Sequence, residues 1–244
     1  MIALEKTVGR IAAETPASIG VFEKFGIDYC CGGDRPFAEA CRERGLAPEA
    51  VAAEIEATGA ASGEAVRDWT QAPLAELIDH ILSRHHEYLR AELPALEQRM
   101  GKTLEAHGTV HGETLRALQQ AFLELEEELY GHMHKEEMIL FPSIREMEAA
   151  LAQGRVPAPP PFGSVRNPIR VMRFEHDNAA GALERMRRLS ANYAPPAEAC
   201  ATWQALYRGL EQLEADLHRH IHLENNILFP RAEELEAGRA AAAV

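Results

Sequence analysis

An eleven-residue element occurs twice in this 244-residue chain, and the repetition limits what the chain can fold into. His132-Met133-His134-Lys135-Glu136-Glu137-Met138-Ile139-Leu140-Phe141-Pro142 matches His220-Ile221-His222-Leu223-Glu224-Asn225-Asn226-Ile227-Leu228-Phe229-Pro230, with every matched pair 88 positions apart. Self-similarity at a fixed period marks one structural unit used twice. Around both copies the apolar residues recur with helical period. Leu74, Ile78, Leu82, His86, Leu89 and Leu93 trace one face of a long helix. Gly101–Gly112 breaks it, and Glu113–Ala150 resumes as a second helix carrying the first copy. After the proline-rich stretch Gln153–Pro168, a third helix spans Ile169–Ala191. Pro195-Pro196 opens a fourth, which carries the second copy to about Ala237. Proline can continue neither a helix interior nor a central strand, so the 153–168 stretch reads as a linker. The pattern predicts an all-α fold: an antiparallel four-helix bundle over residues 72–237, built from two like hairpins.

Residues 1–58 predict a small helical domain in front of the bundle. Short amphipathic pieces surround one strongly punctuated loop, Asp28-Tyr29-Cys30-Cys31-Gly32-Gly33-Asp34, and Ala38–Arg44 and Pro48–Ala57 read as two of the short helices. Residues 59–71, with Gly59 and Gly63, read as a linker, and residues 238–244 as a loose tail. Charge excludes some functions. Lys and Arg total 25 against 38 Asp and Glu, a net charge of −13 that disfavours nucleic acid and anionic lipid as partners. No apolar run reaches the ~18 residues of a membrane span, and no secretory signal is visible, so a cytoplasmic protein is expected, monomeric or dimeric.

The chemistry lies in the histidines, eight of whose 11 members fall in three short windows. His and Glu at i and i+4 share one helix face one turn apart, so an imidazole nitrogen and a carboxylate oxygen can reach one metal or bridge two. His134 with Glu137 at i+3 is an alternative pairing in the first copy. It fails in the second, where Asn225 replaces the carboxylate; His132 with Glu136 and His220 with Glu224 survive. His86 lies on the apolar stripe of the first helix, with His85 competing for the role, and His176 lies on the third beside Met172, Ala180 and Leu183. Position 109 lies midway between His86 and His132, and position 198 midway between His176 and His220, each inside or beside a predicted turn. All four helices can thus present a histidine at one level. Burying six such groups unpaired would cost several kcal/mol each, and metal ions relieve that cost. Fe, Mn and Zn all suit carboxylate and imidazole. Two bridging carboxylates with four terminal imidazoles fit a pair of non-haem irons with an oxygen bridge.

Glu128 and Asp216, one turn before His132 and His220, are expected either to orient those imidazoles or to be surface charges. Glu175 and Asp177 flank His176 and are weaker candidates for the same task. His107 and His111 are expected to be solvated in a turn, and His80, His134, His218 and His222 to be surface or supporting residues. Cys30 and Cys31 are too close along the chain for an ordinary disulfide, because neighbouring Cα atoms stand ~3.8 Å apart. Gly32-Gly33 can leave the pair exposed, suited to a labile metal, a nitrosyl adduct or a mixed disulfide. Cys41 and Cys200 have no supporting context and read as structural.

On these two elements the chain resembles the Repair of Iron Centres family, the di-iron proteins of iron–sulfur cluster repair. The Asp28–Gly33 loop looks like the small domain that opens those proteins, and residues from about 72 to 237 look like their hemerythrin-like bundle. The resemblance implies two irons held by His86, His132, Glu136, His176, His220 and Glu224, favouring His86 over His85. It also implies functional roles for Cys30 and Cys31, and partners among damaged iron–sulfur proteins, with nitric oxide or oxygen as small ligands. Supplying iron to damaged clusters is the implied activity, with reduction of nitric oxide to nitrous oxide at the two irons as the alternative. An oxygen or redox sensor is a third reading.

Overall fold

The computed structural model describes residues 2–61 and 67–242. Part of the expected linker, Ser62 and Gly63 included, and the last two residues of the expected tail lie outside the described residues. Ten α-helices follow one another: α1 (Val8–Glu14), α2 (Ser18–Phe25), α3 (Phe37–Glu43), α4 (Pro48–Ala61), α5 (Leu74–Ile81), α6 (Glu87–Lys135), α7 (Phe141–Ala152), α8 (Arg166–Leu189), α9 (Ala201–Leu223) and α10 (Phe229–Ala242). Among the described residues three π-helical turns interrupt the series, at Leu82–His86, Glu136–Leu140 and Glu224–Leu228. Among the described residues no strand forms. The chain divides into two compact units, Met1–Ile78 with Arg145–Ala158 and His218–Val244, and Asp79–Ile144 with Pro159–Leu217.

The second unit is the four-helix bundle. The two arms of α6 are antiparallel: only His111, at φ −110° and ψ 15°, leaves helical geometry, and the chain reverses there. Pairs formed across the arms confirm the reversal, with Arg90 Nη2 2.6 Å from Glu137 Oε1. The predicted break over Gly101–Gly112 therefore narrows to one residue, because isolated glycines are tolerated in a helix that packs well. The second arm runs antiparallel to α8, through Arg185 to Glu124 at 3.0 Å and His132 to His176 at 3.2 Å. α8 and α9 are clasped by Arg187 and Glu214, and α9 returns to the first arm through His85 and Asp216. Leu89, Leu93, Leu96, Leu115, Leu118, Phe122, Leu125, Leu206, Leu210 and Leu213 fill the space between these segments. The fourth helix begins at Ala201, later than Pro195-Pro196 suggests.

The first unit gathers α1–α4 around Val8, Ile11, Phe22, Tyr29, Phe37, Cys41, Val51 and Ile55, with Ile221 of α9 in the same cluster. Local rules explain its short helices. Thr7 Oγ1 caps α1 by accepting from Arg10 N. Gly26, at φ 64°, ends α2 in the left-handed conformation that favours glycine, with Ile27 N–H returned to the Phe22 carbonyl. Pro48 opens α4, where a missing N–H costs nothing. α10 extends to Ala242, so helix replaces the loose tail expected from position 238.

The π-turns have a partial explanation in the repeat. Pro142 and Pro230 sit two residues past the second and third turns, and their missing N–H groups leave the ladder a donor short. The ladder slips by one residue there, so that Phe141 N–H reaches the Glu136 carbonyl and Phe229 N–H the Glu224 carbonyl. No proline accompanies the turn at Leu82–His86, and nothing in the neighbouring sequence explains it.

Phe122 is fully buried at the centre of the bundle core. Phe122→Ala should destabilise the protein by about 3–5 kcal/mol. Urea unfolding with an unchanged m-value would show this; a loss below 1 kcal/mol would mean the core cluster is loosely packed.

Candidate metal centre and cysteine loop

Four of the six expected ligands converge within the bundle. His86 and Glu136 are fully buried, and His132 and His176 nearly so. The Glu136 carboxylate stands between two imidazoles: Oε2 lies 3.4 Å from His86 Nε2, and Oε1 lies 3.4 Å from His132 Nε2. His176 Nε2 is 3.2 Å from His132 Nε2. One donor atom each from His132, Glu136 and His176 falls within 4.8 Å of the others, the compactness a single cation requires. One carboxylate oxygen facing each of two imidazoles is also the arrangement of a bridging ligand.

The outer nitrogens explain why the inner ones face the carboxylate. His86 Nδ1 is 2.7 Å from Glu137 Oε1, and His132 Nδ1 is 2.9 Å from Glu175 Oε2. A carboxylate on Nδ1 holds the proton there and leaves the Nε2 lone pair turned inward, which is how metal-binding histidines are oriented. Each carboxylate is itself held by a cation, Glu137 by Arg90 and Glu175 by Lys135. For Glu137 burial opposes ionisation, but hydrogen bonds from Arg90 and then His86 outweigh it and hold the carboxyl below its usual range. Glu175 follows the same pattern, with His132 and then Lys135 overcoming burial. The Phe141 ring lies against His86, centroids 5.9 Å apart and nearly parallel, so the repeated Leu-Phe-Pro element fixes that imidazole from the apolar side.

The first unit holds the other two expected ligands. His220 Nε2 lies 3.0 Å from Glu224 Oε1, and both side chains are buried. The same unit carries the cysteine loop, laid directly on the π-turn that begins at Glu224. Asn225 Nδ2 donates to the Cys30 carbonyl at 3.2 Å, and Asn226 Nδ2 to the Tyr29 carbonyl at 2.9 Å. Gly9 and Gly33 permit this approach, since a Cβ would stand 2.1 Å from Asn226 Oδ1 at the first position and 2.3 Å at the second. Asp28 organises the loop, its Oδ1 accepting from Cys30 N and Cys31 N at 3.0 Å and its Oδ2 from Gly32 N at 2.9 Å. The two sulfurs are 3.9 Å apart; Cys30 is buried and Cys31 partly exposed. The hydrogen bond with Cys31, followed by burial, pushes the Cys30 thiol well above its ordinary range. The loop is thus seated rather than exposed as a pair.

Several supporting roles differ from those expected. Glu128 is exposed, and Asp216 pairs with His85, 3.1 Å from its Nδ1, instead of His220. That pair gives the competing first-helix histidine its own partner and leaves His86 to face Glu136. Glu175 serves His132 across the helix seam, not His176 beside it, because i±1 neighbours on a helix diverge. Glu137, rejected as a ligand, is the group that orients His86; no spacing rule points to it, since its partner is 51 residues away. His111 pairs with Glu198 at 2.9 Å, and His107 packs at a tilt against Trp203, centroids 4.9 Å apart. His222 is buried against Asn226, and burial lowers its pKa to about 4. Cys200 is more than inert packing. Its thiol is pulled down to about 7, first by the Trp203 backbone N–H and next by His107.

Comparison with known proteins agrees with this geometry. Residues 77–232 match the hemerythrin HHE cation binding domain, and residues 4–58 match a domain of unknown function (DUF542). The chain is 39% identical over 228 residues to the iron-sulfur cluster repair protein YtfE of Escherichia coli O17:K52:H18, covering 93% of this chain and 96% of that one. The same identity and coverage hold for the proteins of that name from Citrobacter koseri and Shigella boydii serotype 4.

Glu137→Gln and Glu175→Gln should each weaken metal binding about 10–100-fold, while Glu128→Gln leaves it unchanged. Competition with a calibrated chelator measures this; equal affinities for all three variants would refute the orienting role. Iodoacetamide at pH 7.5 should alkylate Cys200 before Cys30, because only the former is substantially thiolate there. Peptide mapping of a time course that showed Cys30 modified first would contradict this order.

Proposed function

As a member of the hemerythrin HHE cation-binding family and, over nearly its whole length, of the iron–sulfur cluster repair proteins, this chain is, we propose, a non-haem di-iron protein that supplies iron to clusters damaged by nitrosative or oxidative stress. The carrying observation is the seating of Cys30 on the turn that begins at Glu224. A thiol loop so placed suits a protein that moves iron, whereas a protein that only carries a small ligand has no use for it.

The proposed ligand set is His86, His132, Glu136, His176, His220 and Glu224, which together would hold two ions. Three arguments support it. The donors are nitrogen and carboxylate oxygen, which suit iron. Glu136 already directs one oxygen at each of two imidazoles. The repeat supplies a second His–Glu pair at matching positions, His220 and Glu224, 88 residues on from the first. When bound, iron supplies a Lewis-acidic and redox-active centre.

The protein's own groups set how iron is held and released. Glu137 and Glu175 keep the imidazoles deprotonated on Nε2, which is the metal-binding form. Cys30 stays protonated while idle, because burial and Cys31 oppose its thiolate. A thiol gives up that proton only as it takes hold of a metal ion, so uptake by the loop is coupled to proton release. The Asn225 hydrogen bond to the Cys30 carbonyl keeps the loop beside Glu224.

An anaerobic rescue assay tests the reading. A cluster-dependent enzyme inactivated by nitric oxide or peroxide should regain activity with the iron-loaded protein and not with the metal-free protein. Changing Cys30 and Cys31 together to Ser should leave iron content unaltered and lower the rescue rate at least tenfold. Rescue that is independent of bound iron would refute the proposal. Sustained nitrous oxide formation from added nitric oxide, without rescue, would replace it with the reductase reading.

A further inference from the structure

Resting on the repair reading, we infer that the exposed apolar seam between the second arm of α6, its following π-turn and α8 is the surface on which an acidic recipient protein docks. Seven large hydrophobic side chains are exposed among the described residues, and four of them belong to this seam: Met138 (65%), Ile139 (45%), Val171 (43%) and Phe174 (65%). The ion pair of Lys135 with Glu175 fixes the register of the two antiparallel segments. Ile139 lies one turn on from Lys135, and Val171 one turn back from Glu175, so the two stand at one level; Met138 and Phe174 flank them. Scattered single hydrophobics on a surface need no explanation, but a contiguous group of this size marks an interaction site.

Charge identifies the occupant. The chain as a whole carries −13, which repels acidic proteins. Along this seam the balance reverses. Arg166, Arg170 and Arg173 line α8 at helical spacing on the side that carries Phe174, the first two exposed and the third half-buried. Of the carboxylates along the seam, Glu137 and Glu175 are held by Arg90 and Lys135, which leaves exposed Asp177, one turn past Phe174, against three arginines. An apolar centre with an arginine rim fits an apolar knob rimmed by carboxylates. A second copy of this chain fits less well, because a two-fold contact through this patch would bring two arginine-rimmed surfaces together. The location also suits the task. Glu175 is partly exposed at the seam and touches His132, so a protein docked there is one carboxylate away from a proposed iron ligand.

The test uses the full chain, iron-loaded, and a metal-free acidic [2Fe–2S] ferredoxin as probe. Binding is measured by fluorescence anisotropy at low and high salt. Phe174→Glu and Arg170→Glu should each weaken binding at least tenfold with iron content unchanged, and high salt should weaken the wild type. Val110→Glu, at an 80% exposed apolar position on the reversal between the α6 arms, should bind as wild type does. Photo-crosslinking from a benzoylphenylalanine at position 174 should yield a heterodimer with the probe. Equal affinity in all variants, no binding by the wild type, or a crosslinked homodimer would each overturn the inference. Such failure alongside intact enzyme rescue removes the docking surface and leaves the repair reading standing. Intact, Phe174-dependent binding without rescue keeps the surface and removes the repair reading.

Discussion

A carboxylate shared by two buried imidazoles organises this protein. Glu136 is fully enclosed in an apolar bundle, where an ionised carboxylate is tolerated only if its oxygens face complementary groups. His86 and His132 turn their Nε2 lone pairs toward those oxygens, each 3.4 Å away, so the group complementary to all of them is a cation between them. Their correct facing depends on Glu137 and Glu175 at the outer nitrogens, and those on Arg90 and Lys135 at the surface. Two short relays therefore run inward from the surface, cation to carboxylate to imidazole to carboxylate. The bundle must hold four helices in fixed register for this to work, and the long leucine-rich core below the site supplies that rigidity.

The two copies of the repeat have diverged at the residue after the shared glutamate, position 136 or 224. Glu137 in the first copy orients His86. Asn225 in the second donates to the backbone of Cys30, and Asn226 beside it to Tyr29. A carboxylate cannot donate a hydrogen bond to a carbonyl when ionised, whereas an amide can. One position thus orients an imidazole in the first copy and attaches the cysteine loop in the second. The paired π-turns that begin at Glu136 and Glu224 belong to both tasks, since they set the direction of the side chains that follow.

Much of this was legible in the sequence. The helical period and the 88-residue repeat give the helices and the antiparallel bundle, and the failure of the His134–Glu137 pairing in the second copy selects the His–Glu pairs that the structure brings within 3.4 Å and 3.0 Å. What stayed hidden was long-range or geometric. The Glu137–His86 and Glu175–His132 contacts span 51 and 43 residues, and no local pattern encodes them. The π-turns require knowing where the hydrogen-bond ladder slips. The reversal at His111 required packing to override three glycines, and the extra length of α10 left no mark in a run of alanines. Cys200 looked featureless because its lowered pKa comes from backbone N–H groups and from His107, 93 positions away in the chain.

The central claim is that the repeated His–Glu elements, with His86 and His176, hold two irons. Anaerobic titration of the metal-free protein with ferrous ion, read by calorimetry and by elemental analysis of the product, tests it most directly. The account predicts two ions per chain for the wild type and loss of most of the bound iron in Glu136→Ala and in Glu224→Ala. One ion per chain, or two ions retained when either glutamate is replaced, would contradict it.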